Sequence, residues 1–202
     1  MQLSLFQLNK GINILPYDGE ALFYPDFLSP KESRLYFNHI LKTFEWKQEM
    51  ITLYDKEMLQ PRLTAVCGDP HPSFSNPDRI IHPYPWTAPL LDMKHSVEGI
   101  ANVRFTHALF NLYRDGKDSV SWHRDNERYL GNNPVIASVS LGEIRTFQFR
   151  YYTDKKITRS VELTPGSLLI MQGKTQHCWE HQVPKTNKRV GQRINITFRI
   201  RI

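Results

Sequence analysis

The spacing of apolar and polar positions changes character once along the chain. Between about residues 30 and 45, Leu35, Tyr36, Phe37, Ile40, Leu41 and Phe44 recur at near-helical intervals, which predicts a helix with an apolar stripe. Ser29-Pro30-Lys31-Glu32 ahead of them is a capping box with proline at the first helical position. A second helix is predicted from about Ala88 to Gly99, with Leu90, Leu91 and Val97 inward. Between the two lies a strand and turn region, Met50 to Pro85. Its end, GDPHPSFSNPDRIIHPYP, is too proline-rich for regular structure and reads as a long ordered loop of the lid or binding kind.

From about Val103 onward the period becomes two. Segments 104–113, 135–141, 145–152, 159–163, 167–172 and 192–202 are short and β-rich, separated by turn signals such as Arg114-Asp115-Gly116 and Pro165-Gly166. Helices followed by six or more strands predict an antiparallel sandwich or jelly roll, mainly β, with helices packed on one side. In the last segment Ile194, Ile196, Phe198, Ile200 and Ile202 share one face, while Arg193, Asn195, Thr197, Arg199 and Arg201 share the other. If that polar face lines the inside of a barrel, it is a site.

The length of 202 residues fits one domain with an ample core. No apolar run approaches the roughly 18 residues of a membrane span. The start, MQLSLFQLNK, lacks the features of a secretory signal, so a cytoplasmic protein without membrane partners is expected. Cys67 and Cys178 cannot make a disulfide framework and read as small hydrophobes. The net charge of +6 comes from the end of the chain: Lys185, Lys188, Arg189, Arg193, Arg199 and Arg201 have no acidic neighbour after His181. Such an excess hints at a polyanion, although two of those arginines have another candidate use.

Trp122-His123-Arg124-Asp125 puts a histidine and an aspartate on one face of an extended chain. Two histidines and one carboxylate are the donor set of non-haem Fe(II) oxygenases, and His177 and His181 both qualify as the third ligand on spacing alone. A keto-acid co-substrate such as 2-oxoglutarate needs a bidentate cation for its far carboxylate, a task suited to Arg193 or Arg199. Asn111 and Tyr113 share a face of the strand leading into the His-x-Asp turn and can hydrogen-bond the same ligand.

NLYRDGKDSVSWHRDNE, PVIASVSLGEIRTFQFR, PGSLLIMQG and HQVPKTNKRVGQRINITFR together resemble the AlkB-type iron and 2-oxoglutarate-dependent nucleic-acid dealkylases, in particular the branch with the eukaryotic DNA-repair homologues. The resemblance covers about residues 48 to 200. It implies a double-stranded β-helix in a single domain: an extension and helix over 1–47, a nucleotide-recognition lid over 48–86 and a catalytic core over 103–202. It implies Fe(II) held by His123, Asp125 and His181, rather than His177. It also implies 2-oxoglutarate held by Asn111, Tyr113, Arg193, Thr197 and Arg199, with Asn195 beside them and O2 as oxidant.

The implied activity is oxidative demethylation of 1-methyladenine and 3-methylcytosine in DNA, and in RNA as well, by a monomer working in the nucleoid or nucleus. Tyr54 matches the residue that fills the gap of a flipped base, Phe74 one that stacks on the lesion, and Arg62 lies in a matching stretch. Asp55 stands where glycine is usual, Val66-Cys67 where an aromatic pair is usual, and Asn126 where a second aspartate faces the lesion. With Asn126 in that place, and Asp125 and Glu127 left to welcome a cationic base, neutral etheno adducts become candidate substrates. Lys185, Lys188 and Arg189 are candidate phosphate contacts. The alternative is a hydroxylase with the same core acting on a protein or small molecule; Tyr54, Phe74 and the basic tail favour nucleic acid.

Overall fold

The computed structural model describes residues 11–53, 56–69, 75–76, 79–80 and 83–202. A first hairpin pairs β1 (Ile12–Asn13) with β2 (Glu20–Tyr24), followed by α1 (Pro30–Thr43). Then come β3 (Met50–Leu53), β4 (Lys56–Leu59), β5 (Leu63–Gly68), β6 (Ser75–Asn76), β7 (Arg79–Ile80) and α2 (Ala88–Ala101). The remaining strands are β8 (His107–Tyr113), β9 (Val120–His123), β10 (Ile136–Gly142), β11 (Arg145–Tyr151), β12 (Thr158–Leu163) and β13 (Leu168–Gln172). A single helical turn, α3 (Thr175–Cys178), precedes β14 (Trp179–Val183) and β15 (Arg193–Arg199). Seven strands form one sheet in the order β1-β2-β13-β10-β15-β8-β5, and four form a second, β12-β11-β14-β9. Every pairing in both is antiparallel, as in a jelly roll.

The capping box works as its sequence predicts. The Ser29 backbone N–H donates to Glu32 Oε2 at 2.8 Å, and Ser29 Oγ accepts from the Glu32 N–H at 3.3 Å. α1 and α2 then cover the outer face of the large sheet: Ile40, Phe44, Leu90, Met93 and Val97 meet Phe110, Leu141, Ile196 and Phe198. Fully burying such a side chain is worth about 1.5–3 kcal/mol. α2 has no side-chain cap at Thr87. At its other end Asn102 takes a left-handed conformation (φ 53°) and donates to the Glu98 carbonyl. Glu98 itself is buried, binding Lys94 Nζ at 2.7 Å, Arg104 Nη1 at 2.9 Å and the Phe105 N–H at 2.8 Å.

A second core fills one end of the space between the sheets, with Ile136, Phe147, Phe149, Leu163, Met171 and Trp179. Two registers create this division. On β8 and β15, Leu112 faces Ile194 and Phe110 faces Ile196 toward the helices, while Tyr113 faces Arg193 and Asn111 faces Asn195 toward the second sheet. The polar side of the last strand therefore does point into the barrel.

Several expectations need correction. Leu35 is 61% exposed and does not belong to the α1 stripe, whereas Met93 joins Leu90 and Val97 and Leu91 is only half-buried. The last strand ends at Arg199; Ile202 is 73% exposed, and its N–H donates to the Tyr129 carbonyl at 3.0 Å rather than to a strand. The proline-rich loop contains one short ladder, β6–β7, and Tyr84 bridges to Cys67. Both cysteines are free, and burial pushes the Cys67 thiol up to about 12. Among the described residues no helix is long and apolar enough to cross a membrane.

Candidate active site

Between the sheets, at the end not filled by the second core, lies a cavity of about 480 Å³ measured out to its open mouth. Its walls come from both sheets: Leu109, Asn111 and Tyr113 of β8, Arg193, Asn195 and Thr197 of β15, and His123 and His181 of β9 and β14. Cross-strand partners in an antiparallel pair share a face, so register alone groups these side chains. His181 lies directly opposite His123, and Arg193 opposite Tyr113.

His123, Asp125 and His181 converge with their ligand atoms within 4.8 Å of one another. Each imidazole Nε2 stands 3.8 Å from an Asp125 oxygen, too far for a hydrogen bond. His123 Nδ1 donates to the Ser121 carbonyl at 2.8 Å, which leaves the Nε2 lone pair directed at the gap. The Phe147 ring lies nearly parallel to His181, with centroids 5.4 Å apart. Burial, chiefly, with His123 beside it, lowers His181 to about 3. Burial alone would raise the Asp125 carboxyl, but Arg199, His181 and His123 overcome it and hold it at about 2. At neutral pH His181 is therefore a neutral imidazole and Asp125 a carboxylate, and with His123 they make a donor set that fits a divalent transition metal.

Asp125 lies beyond the end of β9, so strand geometry does not aim it. Its backbone N–H is held at 2.9 Å by Oε1 of fully buried Gln176, and Arg199 Nη2 donates to Oδ1 at 2.9 Å. His177, by contrast, is exposed and lies outside the cluster.

Arg193 dominates the opposite end. It is 1% exposed; Nη2 donates to Ser140 Oγ at 2.9 Å, while Nε and Nη1 have no hydrogen-bond partner among the described residues. Leaving buried donors unmatched costs about 1–3 kcal/mol each, and a carboxylate against the guanidinium removes that cost. Around it, Asn195 Nδ2 donates to Ser138 Oγ at 2.6 Å, Thr197 Oγ1 to Asn195 Oδ1 at 2.9 Å, and Arg62 Nε to Asn111 Oδ1 at 2.7 Å. The two arginines named from sequence thus differ: Arg193 keeps two unmatched donors, whereas Arg199 keeps one, Nε, and gives Nη2 to Asp125. Ser138, Ser140 and Gln176 were not anticipated. The serines were readable as polar positions alternating with Ala137, Val139 and Leu141; nothing in the sequence marked Gln176.

Arg62 lines the cavity wall, and Asn126 and Glu127 are exposed next to Asp125. Tyr54 and Phe74, with Asp55, lie outside the described residues. The basic tail shrinks: Arg193 is buried, Arg199 mostly so, and Arg201 lies 4.1 Å from the Tyr129 ring. Lys185, Lys188 and Arg189 remain exposed.

Comparison with known proteins agrees with this geometry. The profile of the 2OG-Fe(II) oxygenase superfamily matches residues 20–199. The mouse alpha-ketoglutarate-dependent dioxygenase alkB homolog 3 is 39% identical over 190 residues, covering 90% of this chain and 66% of the relative. The DNA oxidative demethylase ALKBH2 of Arabidopsis thaliana is 32% identical over 219 residues, covering 92% and 68%. The chain spans just under two thirds of the length of its alkB homolog 3 relatives, 66% in mouse and 64% in rat. The solved structure of OsALKBH1 shares the fold, with a TM-score of 0.62 over 89% of this chain and 97% of that one at 16% identity. A profile match running from the second strand to the last, and relatives alike over nine tenths of the chain, lead to one conclusion: the protein belongs to the AlkB-type branch of the 2OG-Fe(II) oxygenase superfamily.

Proposed function

We propose that this protein is a nucleic-acid repair dioxygenase that oxidatively demethylates N-alkylated bases in DNA, and in RNA as well. The observation that carries the reading is a metal-ready His123–Asp125–His181 cluster in one cavity with a buried arginine, Arg193, whose Nε and Nη1 lack partners among the described residues. His123, Asp125 and His181 would hold Fe(II), and Arg193 would take the far carboxylate of 2-oxoglutarate. When bound, the iron with 2-oxoglutarate and O2 supplies oxidation of the N-methyl carbon, which leaves as formaldehyde while the keto acid becomes succinate and CO2.

The chain's own residues position and exclude. Asn111 and Tyr113 of β8, and Asn195 and Thr197 of β15, orient the keto acid from one wall. Arg199 keeps Asp125 ionised and fixed, so that carboxylate does not swing away to accept a proton. Met171, Val183 and Phe147 line the same cavity and keep water out of its inner end. The substrate enters from the mouth beside Arg62, Asn126 and Glu127; Tyr54 and Phe74 take the hairpin and stacking roles. A lesion on the Watson–Crick edge weakens pairing, so flipping it costs less than the few kcal/mol of an intact base. Asp125 and Glu127 attract a cationic methylated base. Asn126 is neutral, so the preference for cations is weaker and etheno adducts are included.

The relatives named as DNA oxidative demethylases support nucleic acid as substrate. The test is an oligonucleotide carrying one 1-methyladenine or 3-methylcytosine, incubated with Fe(II), ascorbate and 2-oxoglutarate. Formaldehyde and succinate should appear one for one, with loss of the methyl group by mass spectrometry and none with Asp125→Ala. Succinate formed without any loss from the oligonucleotide would move the protein to hydroxylation of a protein or small molecule.

A further inference from the structure

Arg145, the first residue of β11, is 3% exposed and has no assigned role. Its guanidinium binds three backbone carbonyls: Nη1 donates to Asp115 at 3.1 Å, and Nη2 to Asp118 at 2.9 Å and Pro184 at 2.6 Å. Asp115 and Asp118 lie in the turn from β8 into β9, the strand of His123. Pro184 follows β14, the strand of His181. One side chain therefore ties together the ends of the strands that carry Tyr113 and both imidazoles.

Its charge matters as much as its donors. Two guanidiniums approach the Tyr113 ring, that of Arg145 at 5.6 Å and that of Arg193 at 5.0 Å. Both arginines are buried, and among the described residues neither forms an ion pair with a carboxylate. Asp118 and Asp115 favour the Arg145 cation, but the Asp118 carboxylate is itself clamped by Arg114, whose Nε and Nη2 donate at 2.8 and 2.9 Å. Two buried like charges raise each other's cost: burial chiefly, and Arg145 as well, act against the Arg193 cation, while Tyr113 acts in its favour. An incoming dianion relieves more of that cost than a monoanion does, and a monocarboxylate whose charge sits at the metal relieves none at this end.

We propose that Arg145 is a positioning residue that, with Arg193 against the same Tyr113 ring, makes the inner end of the cavity selective for a dicarboxylate keto acid. The inference rests on the dioxygenase reading above. The test uses the full chain loaded with Co(II) in place of iron, so that metal occupancy and keto-acid binding are read separately from turnover. Binding of 2-oxoglutarate is compared with binding of 2-oxovalerate, which keeps the keto-acid head and lacks the far carboxylate. Arg145→Gln should keep one Co(II) per chain, lose about tenfold in 2-oxoglutarate affinity, about 1.4 kcal/mol, and change little for 2-oxovalerate. Arg145→Lys, which keeps charge but not the three-carbonyl fork, should fall between.

Equal losses for both keto acids, or none for either, would overturn the proposal. So would loss of Co(II) binding in both variants, which would make Arg145 a scaffold residue only. Failure of the unsubstituted protein to bind 2-oxoglutarate at all would instead remove the dioxygenase reading itself.

Discussion

Gln176 does for Asp125 what no strand can. The ligand aspartate lies two residues beyond His123 and the end of β9, so among the described residues the 2.9 Å bond from its N–H to Gln176 Oε1 and the ion pair with Arg199 fix it. Removing the acceptor strands a buried N–H, at about 1–3 kcal/mol. Groups that orient metal ligands typically account for 10–100-fold in affinity. Gln176→Leu should therefore weaken Co(II) binding at least about tenfold in an equilibrium titration; an affinity equal to wild type would show that Arg199 alone suffices. At this scale the sequence was legible wherever chemistry needs a rare residue type. His123 and Asp125 stand out because few other side chains coordinate metals, whereas residue type alone left His177 beside His181 and Arg199 beside Arg193, and the family resemblance chose His181. Gln176 and Arg145 act through backbone groups of other segments, and such partners exist only once the chain has folded.

At the scale of elements, the predicted helices and the long alternating strands are found, while β9 and β14 were missed. Both are the strands that carry histidine ligands. In β14, Trp179, His181 and Val183 are buried in alternation, but a ligand takes one of the three inward positions and breaks the apolar pattern. In β9 the last residue is His123, and only Val120 and Trp122 are apolar. Functional side chains replace core side chains where the site is built, so periodicity fades there. α1 was legible twice over, through its stripe and its capping box. Ser29→Ala removes one half of that box and should cost about 1 kcal/mol. For a chain of this size that lowers Tm by about 2–4 °C, measured by thermal unfolding. No shift would mean that Pro30 and the packing of Ile40 and Phe44 set the helix start unaided.

Across the whole molecule, the large sheet divides two interiors: an apolar one under α1 and α2, and a mixed one that holds the cavity. Glu98 joins the helical layer to the sheet through Lys94, Arg104 and the Phe105 N–H. Burial alone would raise its carboxyl, but those three donors hold it below the usual 4.5. A depressed carboxylate contributes stability that is fully present above pH 4.5 and is lost as pH falls through the lower folded value. Glu98→Gln should consequently flatten the decline of Tm between neutral pH and about pH 3 in metal-free protein; an identical pH profile would show that the three donors do not favour the ionised form. Charge was the least legible property at this scale, because a basic tail in sequence became two interior cations and a short exposed group at Lys185, Lys188 and Arg189.

The account as a whole requires Fe(II) and 2-oxoglutarate to meet in one cavity, the metal on His123, Asp125 and His181 and the far carboxylate on Arg193. Anaerobic titration of the Fe(II)-loaded protein with 2-oxoglutarate, followed by the visible charge-transfer absorption of the chelated keto acid, measures that meeting directly. The band should saturate at one 2-oxoglutarate per chain, vanish in Asp125→Ala, and need at least about tenfold more keto acid in Arg193→Gln, the equivalent of one lost charge-assisted contact. A wild-type protein that gives no band, or variants that titrate as it does, would contradict it.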